Sequence, residues 1–223
     1  ADRCKICGAV GLYRQSARLV FMFNKIRNWF FHEDLKRQNL AAFIMLIGSV
    51  LGLLASFMLS IEALILAKNS HAVLSCDLSS VLSCSTVANH WSATILGFPN
   101  SFIGVMTLPV MVTIAVALLA GAKFPKWFMQ AAQAGAIVGM VFAAWMFYMS
   151  YIEIGALCPW CLTLDVGMTM IFFGLTRYNI LRKNISWRGA QKFVSGGYDA
   201  LIAVSVIVLV VVAIIAKFGG QLF

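Results

Sequence analysis

The stretch Cys158-Pro159-Trp160-Cys161 opens a run of apolar residues that continues to Leu175 and predicts a long helix. Proline is favoured at the first helical position, because the N–H that it lacks would have no partner at a helix start. Cys158 is therefore placed at or next to the N-cap, and Cys161 inside the first turn. Free backbone N–H groups and the positive end of the helix dipole stabilise a thiolate there. The pattern predicts that Cys161 is an activated, redox-active thiol.

Two other interpretations of this cysteine pair stay open. A Cys-x-x-Cys pair can supply half of a structural zinc site, which needs four ligands, and the same helix offers only Thr163 and Asp165 nearby. Free cysteines buried among apolar helices also occur as inert packing. Activation by the helix start favours redox chemistry over both.

The composition identifies an integral membrane protein. Of the 223 residues, 61% are hydrophobic and 11% charged, and the mean hydropathy is +0.90. No water-soluble domain needs so apolar a composition, and a membrane-spanning helix takes about twenty apolar residues. Small residues such as Gly48, Gly52 and Gly139 permit close helix packing in lipid, so we expect an all-α bundle. Five apolar segments are long enough to span, at about 40–67, 102–121, 128–154, 157–178 and 198–217.

Lysine and arginine indicate the orientation, because they concentrate in cytoplasmic segments. Of the 17 basic residues, all but Lys68 and Lys217 lie before the first span, between the second and third, or between the fourth and fifth. This predicts a multi-pass protein of the plasma (inner) membrane with a cytoplasmic N-terminus and an extracytoplasmic C-terminus. The net charge of +9 then serves orientation and contact with anionic lipid, and no nucleic-acid partner is predicted.

Four cysteines share the oxidising side in this orientation. Cys76 and Cys84 lie in the loop between spans one and two, and Cys158 and Cys161 lie where span three turns into span four. Disulfides form and exchange on that side of a membrane. A purely structural disulfide clipping the loop is the alternative for the first pair. The second, helix-activated pair on the same face favours exchange between the two.

The joint pattern of these features resembles the vitamin K epoxide reductase family, and its bacterial branch most closely. The resemblance covers about 40–178 and implies a four-helix bundle around a quinone, capped by the first outer loop. It implies a membrane thiol-disulfide oxidoreductase that reoxidises an extracytoplasmic thioredoxin-fold partner of the DsbA type and reduces a membrane quinone, menaquinone or ubiquinone. The features are the two cysteine pairs, the stretch 85–92 and the start of span two, Asn100-Ser101-Phe102-Ile103-Gly104.

The resemblance also implies a role for each cysteine. Cys161 would meet the quinone, with Cys158 as its disulfide partner. Cys84 would relay electrons to Cys158, and Cys76 would exchange with the soluble partner. Asn100 matches a family position that hydrogen-bonds a quinone carbonyl.

One position departs from the family pattern. Animal members have a tyrosine four residues after the last cysteine that helps to hold vitamin K, whereas this chain has Asp165, which favours an ordinary respiratory quinone. A carboxyl within a span is costly unless paired or protonated. Asp165 either handles a proton of quinone reduction or reaches out to the interface. Trp145 and Phe142 are candidates for the quinone pocket, with the interfacial aromatic belt as the alternative.

These expectations divide the chain into three parts. Residues 1–39 form a basic amphipathic segment on the cytoplasmic lipid surface, in which Cys4 and Cys7 have an incidental or intermolecular role. Residues 40–180 form the four-helix catalytic domain with the outer loop 68–100, and 181–223 a cytoplasmic linker and fifth span. Glu62 and Glu153 are expected at the outer interface. Three rival functions stay open: reduction of vitamin K epoxide or quinone for its own sake, a non-catalytic scaffold with fixed disulfides, and metal binding.

Overall fold

The computed structural model describes residues 33–79, 81–185 and 189–222. Most of the predicted amphipathic segment, including Cys4 and Cys7, lies outside them. The described residues contain no β-strand and are organised as seven α-helices with two shorter helical turns. The helices are α1 (Glu33–Lys68), α2 (Cys84–Ala88), α3 (Ser101–Leu119), α4 (Lys126–Tyr148), α5 (Pro159–Leu181), α6 (Ala190–Ser195) and α7 (Tyr198–Leu222), with a 3₁₀ turn at Trp91–Thr94 and a π-helical segment at Met149–Ile154.

Five helical segments are long and apolar enough to cross a membrane, and they coincide with the five predicted spans. The prediction of an all-α, multi-pass membrane protein is therefore confirmed. The segments are Lys36–Lys68, Ser101–Leu119, Lys126–Ile154, Pro159–Leu181 and Tyr198–Gly220.

Four of these helices share one buried apolar cluster. Met45 of α1, Leu108 of α3, Met129 of α4 and Leu175 of α5 all belong to it. Since lipid is as apolar as these side chains, close van der Waals packing holds such helices together. The core thus joins α1, α3, α4 and α5, as expected for a four-helix bundle.

The backbones of α1 and α5 are in close contact at Gly48 and Gly167. A Cβ atom on either glycine would lie 2.7 Å from the carbonyl oxygen of the other, which no real side chain tolerates. Only glycine lets the two backbones meet this closely. The contact packs α5, whose N-cap is Cys158, against α1, which carries Glu62.

The turn between α4 and α5 delivers Cys158 to the end of the bundle. The π-helical segment ends at Gly155, whose φ of +71° is a left-handed conformation that favours glycine. The Ser150 hydroxyl donates to the Ala156 carbonyl at 2.6 Å, which satisfies a buried acceptor within the turn. Residues 156–158 then lie next to the outer loop.

An ion pair attaches α7 to α5. Arg177 Nη1 donates to both carboxylate oxygens of Asp199 at 3.0 and 2.9 Å, and the two side chains are only 15% and 8% exposed. Asp199 also lies in the first turn of α7, where a negative charge suits the helix dipole. At the other end of α7, the Tyr151 hydroxyl donates to the Ala213 carbonyl at 3.1 Å. Polar contacts therefore fix a helix whose surface is otherwise mostly exposed.

We expect Asp199→Asn to lower the free energy of unfolding by about 3–5 kcal/mol, because it leaves the buried Arg177 guanidinium without its countercharge. Thermal unfolding in detergent measures the effect. The double variant R177M/D199L is the matched control and should recover most of the loss, since it removes both charges. A single variant that melts like the wild type would contradict this account of α7.

Candidate active site

A short backbone pairing joins the outer loop to the segment before α5. Leu82 and Leu157 form an isolated parallel bridge, in which Ser83 N–H donates to the Leu157 carbonyl at 3.0 Å and Leu157 N–H donates to the Val81 carbonyl at 2.7 Å. Val81 is 2% and Leu157 0% exposed, so these bonds are shielded from water. Because Cys84 and Cys158 follow directly in the chain, the bridge brings them together.

The sulfur atoms of three cysteines are in successive contact, from Cys76 to Cys84 to Cys158. Cys76 and Cys84 form a disulfide, and Cys84 Sγ lies 3.1 Å from Cys158 Sγ. Cys158 and Cys161 are free thiols, the first buried and the second half-buried. A Cys158 thiolate is thus within reach of the loop disulfide, as exchange requires. The two pairs lie together, as the sequence predicted, at the junction of the loop and α5.

The helix start acts on Cys158 rather than on Cys161. Cys158 is the N-cap, and its sulfur accepts the Cys161 N–H at 3.4 Å. A hydrogen bond from the Cys161 thiol, together with the backbone N–H groups of Cys161 and Trp160, lowers the pKa of Cys158 against the opposing effects of burial and of the Glu62 charge. The sequence correctly placed Cys158 at the N-cap, but the expectation that the helix start activates Cys161 is wrong, because the first-turn N–H of Cys161 donates to the Cys158 sulfur.

Asp77 organises the loop that carries the disulfide. One carboxylate oxygen accepts the Leu74 N–H at 2.8 Å, and the other accepts the Ser85 N–H at 3.0 Å and the Ser83 hydroxyl at 2.9 Å. Burial alone would raise the pKa of Asp77, but these hydrogen bonds outweigh it and lower the pKa below its usual value. The carboxylate thus ties the chain before Cys76 to the start of α2, next to Cys84.

A large cavity opens beside the inner thiols. Its volume is about 1020 Å³, and its wall is mostly apolar. A pocket of this size, with few polar groups, suits a small organic molecule with an apolar body. The site residues on its wall are Cys84, Cys158, Cys161, Asn100, Asp165 and Phe142.

The predicted quinone-pocket residues differ in their positions. Asn100 Nδ2 donates to the Ser92 carbonyl at 2.7 Å, while its Oδ1 is buried and has no hydrogen-bond partner in the described part of the chain. Asp165 lines the cavity one turn after Cys161. Trp145 does not line it: its ring packs behind the wall, 5.8 Å from the Phe142 ring and 6.2 Å from the Trp91 ring. The binding roles of these residues stay predictions.

The sequence suggested that Glu62 lies at the outer membrane interface, but its side chain is instead buried within the protein. It is 4% exposed, and its Oε1 lies 3.0 Å from Cys76 Sγ and 3.4 Å from the Ser75 hydroxyl. Glu153, by contrast, is exposed. Glu62, Cys76 and Cys84 have metal-ligand spacing, but the two sulfurs are already bonded to each other. The correction arises because the loop folds back over the end of α1.

The family description that matches the chain is the vitamin K epoxide reductase family, over residues 43–176. The chain belongs to this family. The match includes all four cysteines of the site together with Asn100 and Asp165, and it confirms the resemblance to the family, while the bacterial branch stays a prediction. No curated protein matches the chain. Membership of the vitamin K epoxide reductase family makes the protein a membrane disulfide oxidoreductase of a family that uses quinones.

Sequence reasoning missed two members of the site. Glu62 carried a signal, because an ionisable residue inside a span is often functional, but nothing local indicated its contact with Cys76. Asp77 stands directly after Cys76 and ahead of serines 83 and 85, an arrangement typical of carboxylates that accept backbone N–H bonds in turns. Both residues depend on how the loop folds.

We expect Asp77→Ala to loosen the loop, because each lost hydrogen bond to a charged group contributes about 1.5–3 kcal/mol. Hydrogen exchange at the Ser85 amide, which donates to Asp77, should accelerate about tenfold or more at pH 7. Since the folded pKa is lowered, this stabilisation is present above the ordinary aspartate value of about 3.9 and is lost as the pH falls through the folded pKa. The exchange rate of the Ser85 amide in wild type should therefore approach that in the variant only below about pH 4.

Ser79→Ala is the control for this prediction. The Ser79 hydroxyl accepts the Leu82 N–H at 3.1 Å in the same loop, but it is exposed and uncharged. Its removal should change Ser85 exchange little. Equal effects of the two variants would remove the special role given to Asp77.

Proposed function

We propose that the protein reoxidises a reduced thioredoxin-fold partner of the DsbA type outside the cytoplasm and passes two electrons through its two cysteine pairs to a membrane quinone, in support of disulfide bond formation. The observation that carries the proposal is the 3.1 Å separation of Cys84 Sγ and Cys158 Sγ, beside a cavity that reaches Cys161. A disulfide can be exchanged between Cys84 and Cys158, and the cavity beside Cys161 can admit a quinone.

The exchange proceeds by thiolate attack at each step. A partner thiolate attacks Cys76, and Cys84 leaves as a thiolate and attacks Cys158 of the oxidised inner pair, releasing Cys161. The partner's second thiol then attacks the mixed disulfide and releases Cys76, which takes up the proton of that thiol, and Cys76 in turn attacks Cys84 and frees Cys158. The loop disulfide is restored and the inner pair is reduced. The observed combination, one loop disulfide with two inner thiols, matches the state that precedes transfer to the quinone.

Two cavity residues suit the head group of a quinone. The Asn100 Oδ1, which has no partner among the described residues, accepts a hydrogen bond from a hydroquinone hydroxyl, and a turned amide donates to a quinone carbonyl. Asp165 lies on the same wall and supplies or takes up a proton of the reaction. Phe142 contributes apolar surface. Menaquinone and ubiquinone both fit this description.

The remaining expectations complete the proposal. Residues 40–180, with the outer loop 68–100, form the catalytic domain, and 181–223 supply a cytoplasmic linker and the fifth span. The distribution of basic residues supports cysteine pairs on the extracytoplasmic side, and the resemblance of the motifs supports a plasma-membrane protein of the bacterial type. The prediction that residues 1–39 contact the cytoplasmic lipid surface concerns a segment that lies mostly outside the described residues.

Replacing any one of Cys76, Cys84, Cys158 or Cys161 by alanine should abolish quinone reduction by a reduced thioredoxin-fold protein. The measurement is anaerobic turnover followed by quinone absorbance. The matched control is the double variant C4A/C7A, which removes the two cysteines on the opposite side and should retain full activity. Turnover by Cys161→Ala would eliminate the proposed mechanism.

The partner should be captured by Cys84→Ala. This variant leaves Cys76 without the neighbour that resolves its mixed disulfides, so a covalent complex with the partner should accumulate in cells. Mass spectrometry of the complex identifies the protein bound to Cys76. Cys76→Ala is the control and should capture nothing. If both variants trap the same protein equally, Cys76 is not the entry point for electrons.

A further inference from the structure

Glu62 is a buried carboxyl group in direct contact with a reacting atom. Its Oε1 lies 3.0 Å from Cys76 Sγ, and its Oε2 is buried with no hydrogen-bond partner in the described part of the chain. Arg177 and Asp199 form an ion pair in another part of the bundle. Among the described residues, no cation acts on Glu62. A buried carboxyl without a countercharge is costly for the fold, and besides the sulfur the polar groups that act on Glu62 are the Ser75 hydroxyl and the Trp160 side chain.

The two sides of the exchange have different electrostatic support. Cys158 accepts the Cys161 N–H at the start of α5, and this stabilises Cys158 as the thiolate that leaves. Cys76 has no such backbone donor in the described structure, and its polar contact is Glu62. When Cys76 is the attacking thiol, its proton needs an acceptor.

We propose that Glu62 is the general base for Cys76, taking its proton as Cys76 attacks the Cys84–Cys158 mixed disulfide. In this step the S–H bond of Cys76 breaks and the proton goes to the Glu62 carboxylate. The Cys76–Cys84 bond forms, the Cys84–Cys158 bond breaks, and Cys158 leaves as a thiolate. One negative charge is present before and after, moved from Glu62 to Cys158, so the buried site gains no net charge. The inference rests on the proposed relay and assigns one of its proton transfers.

The test uses the detergent-purified full chain, reduced at all four outer cysteines with dithiothreitol, freed of reductant and mixed anaerobically with excess short-chain ubiquinone. The first equivalent of quinone reports the inner pair alone. The second equivalent is reduced only after the exchange in which Cys76 attacks. Glu62→Gln keeps the size of the side chain but cannot accept the proton.

We expect Glu62→Gln not to slow the first phase, because removing the Glu62 charge favours ionisation of Cys158. The second phase should slow about 30-fold at pH 7, since a thiol with a pKa of about 8.5 is only about 3% ionised there. The deficit should shrink towards pH 9, where solvent removes the proton. Glu153→Gln is the matched control and should match wild type in both phases. A deficit that stays constant between pH 7 and pH 9 would indicate a structural role and overturn the proposal.

Three other titratable groups face Glu62, namely Asp77, Cys158 and Cys161. Asp77 stays ionised throughout this pH range, because its hydrogen bonds lower its pKa. Removing the Glu62 charge favours Cys158 as the thiolate in both phases, so this effect cannot produce the expected slowing of the second phase.

Wild type provides a second measurement should the Gln variant not fold. With an internal base, its second phase should be nearly flat between pH 7 and pH 9, whereas a rise of about 25-fold over that range, as expected for a thiol with a pKa of about 8.5, would show that solvent removes the proton and would overturn the inference. The two proposals fail separately. Absence of the first phase in wild type would remove the quinone reductase, while a normal first phase with a steep second phase would remove only the role of Glu62.

Discussion

Two backbone hydrogen bonds, at 3.0 and 2.7 Å between residues 81–83 and Leu157, set the distance across which a disulfide can move. They join a loop to the start of a helix more than seventy residues later in the sequence. Their surroundings are almost fully buried, so breaking one would leave a polar group unsatisfied at a cost of about 1–3 kcal/mol. The bridge therefore holds Cys84 against Cys158 without a covalent link, and exchange between the pairs needs little movement of the backbone.

Two electrostatic groups support different parts of the site: the start of α5 contacts the Cys158 sulfur, and the Asp77 carboxylate binds the outer loop. The helix start supports Cys158, which in the proposed relay is the sulfur that every electron pair passes through. Asp77 supports the loop rather than a sulfur, by binding two backbone N–H groups on either side of the disulfide. Its carboxylate gives a short, exposed loop the internal hydrogen bonds that a helix or sheet would otherwise supply. A loop held in this way can release Cys76 to a partner while Cys84 stays in place.

Much of this arrangement could be predicted from the sequence, because it depends on local patterns. The five spans follow from apolar runs, and the helix start at Pro159 follows from the preference of proline for the first turn. The contact of Glu62 with Cys76 depends on the fold of the loop over α1, which no local pattern encodes. Trp145 and Phe142 were both candidates for the quinone pocket as aromatic residues, but the two rings pack against each other and, of the two, Phe142 reaches the wall. The sequence placed Cys158 at the N-cap but assigned helix-start activation to Cys161, because the pattern does not show which of the two sulfurs accepts the first-turn N–H.

Electrons and protons take different routes through such a relay. Electron pairs travel in sulfur–sulfur bonds, which carry no proton, yet the overall reaction moves two protons from thiols to a quinone. A proton cannot follow the sulfurs through a buried, apolar site, so each end of the relay needs its own acceptor or donor. In the proposed scheme Glu62 serves the Cys76 end and Asp165 the cavity end. The scheme thereby assigns both carboxyl groups to one chemical requirement, the exchange of a proton with a reacting atom, and ionisable groups inside membrane spans are often functional.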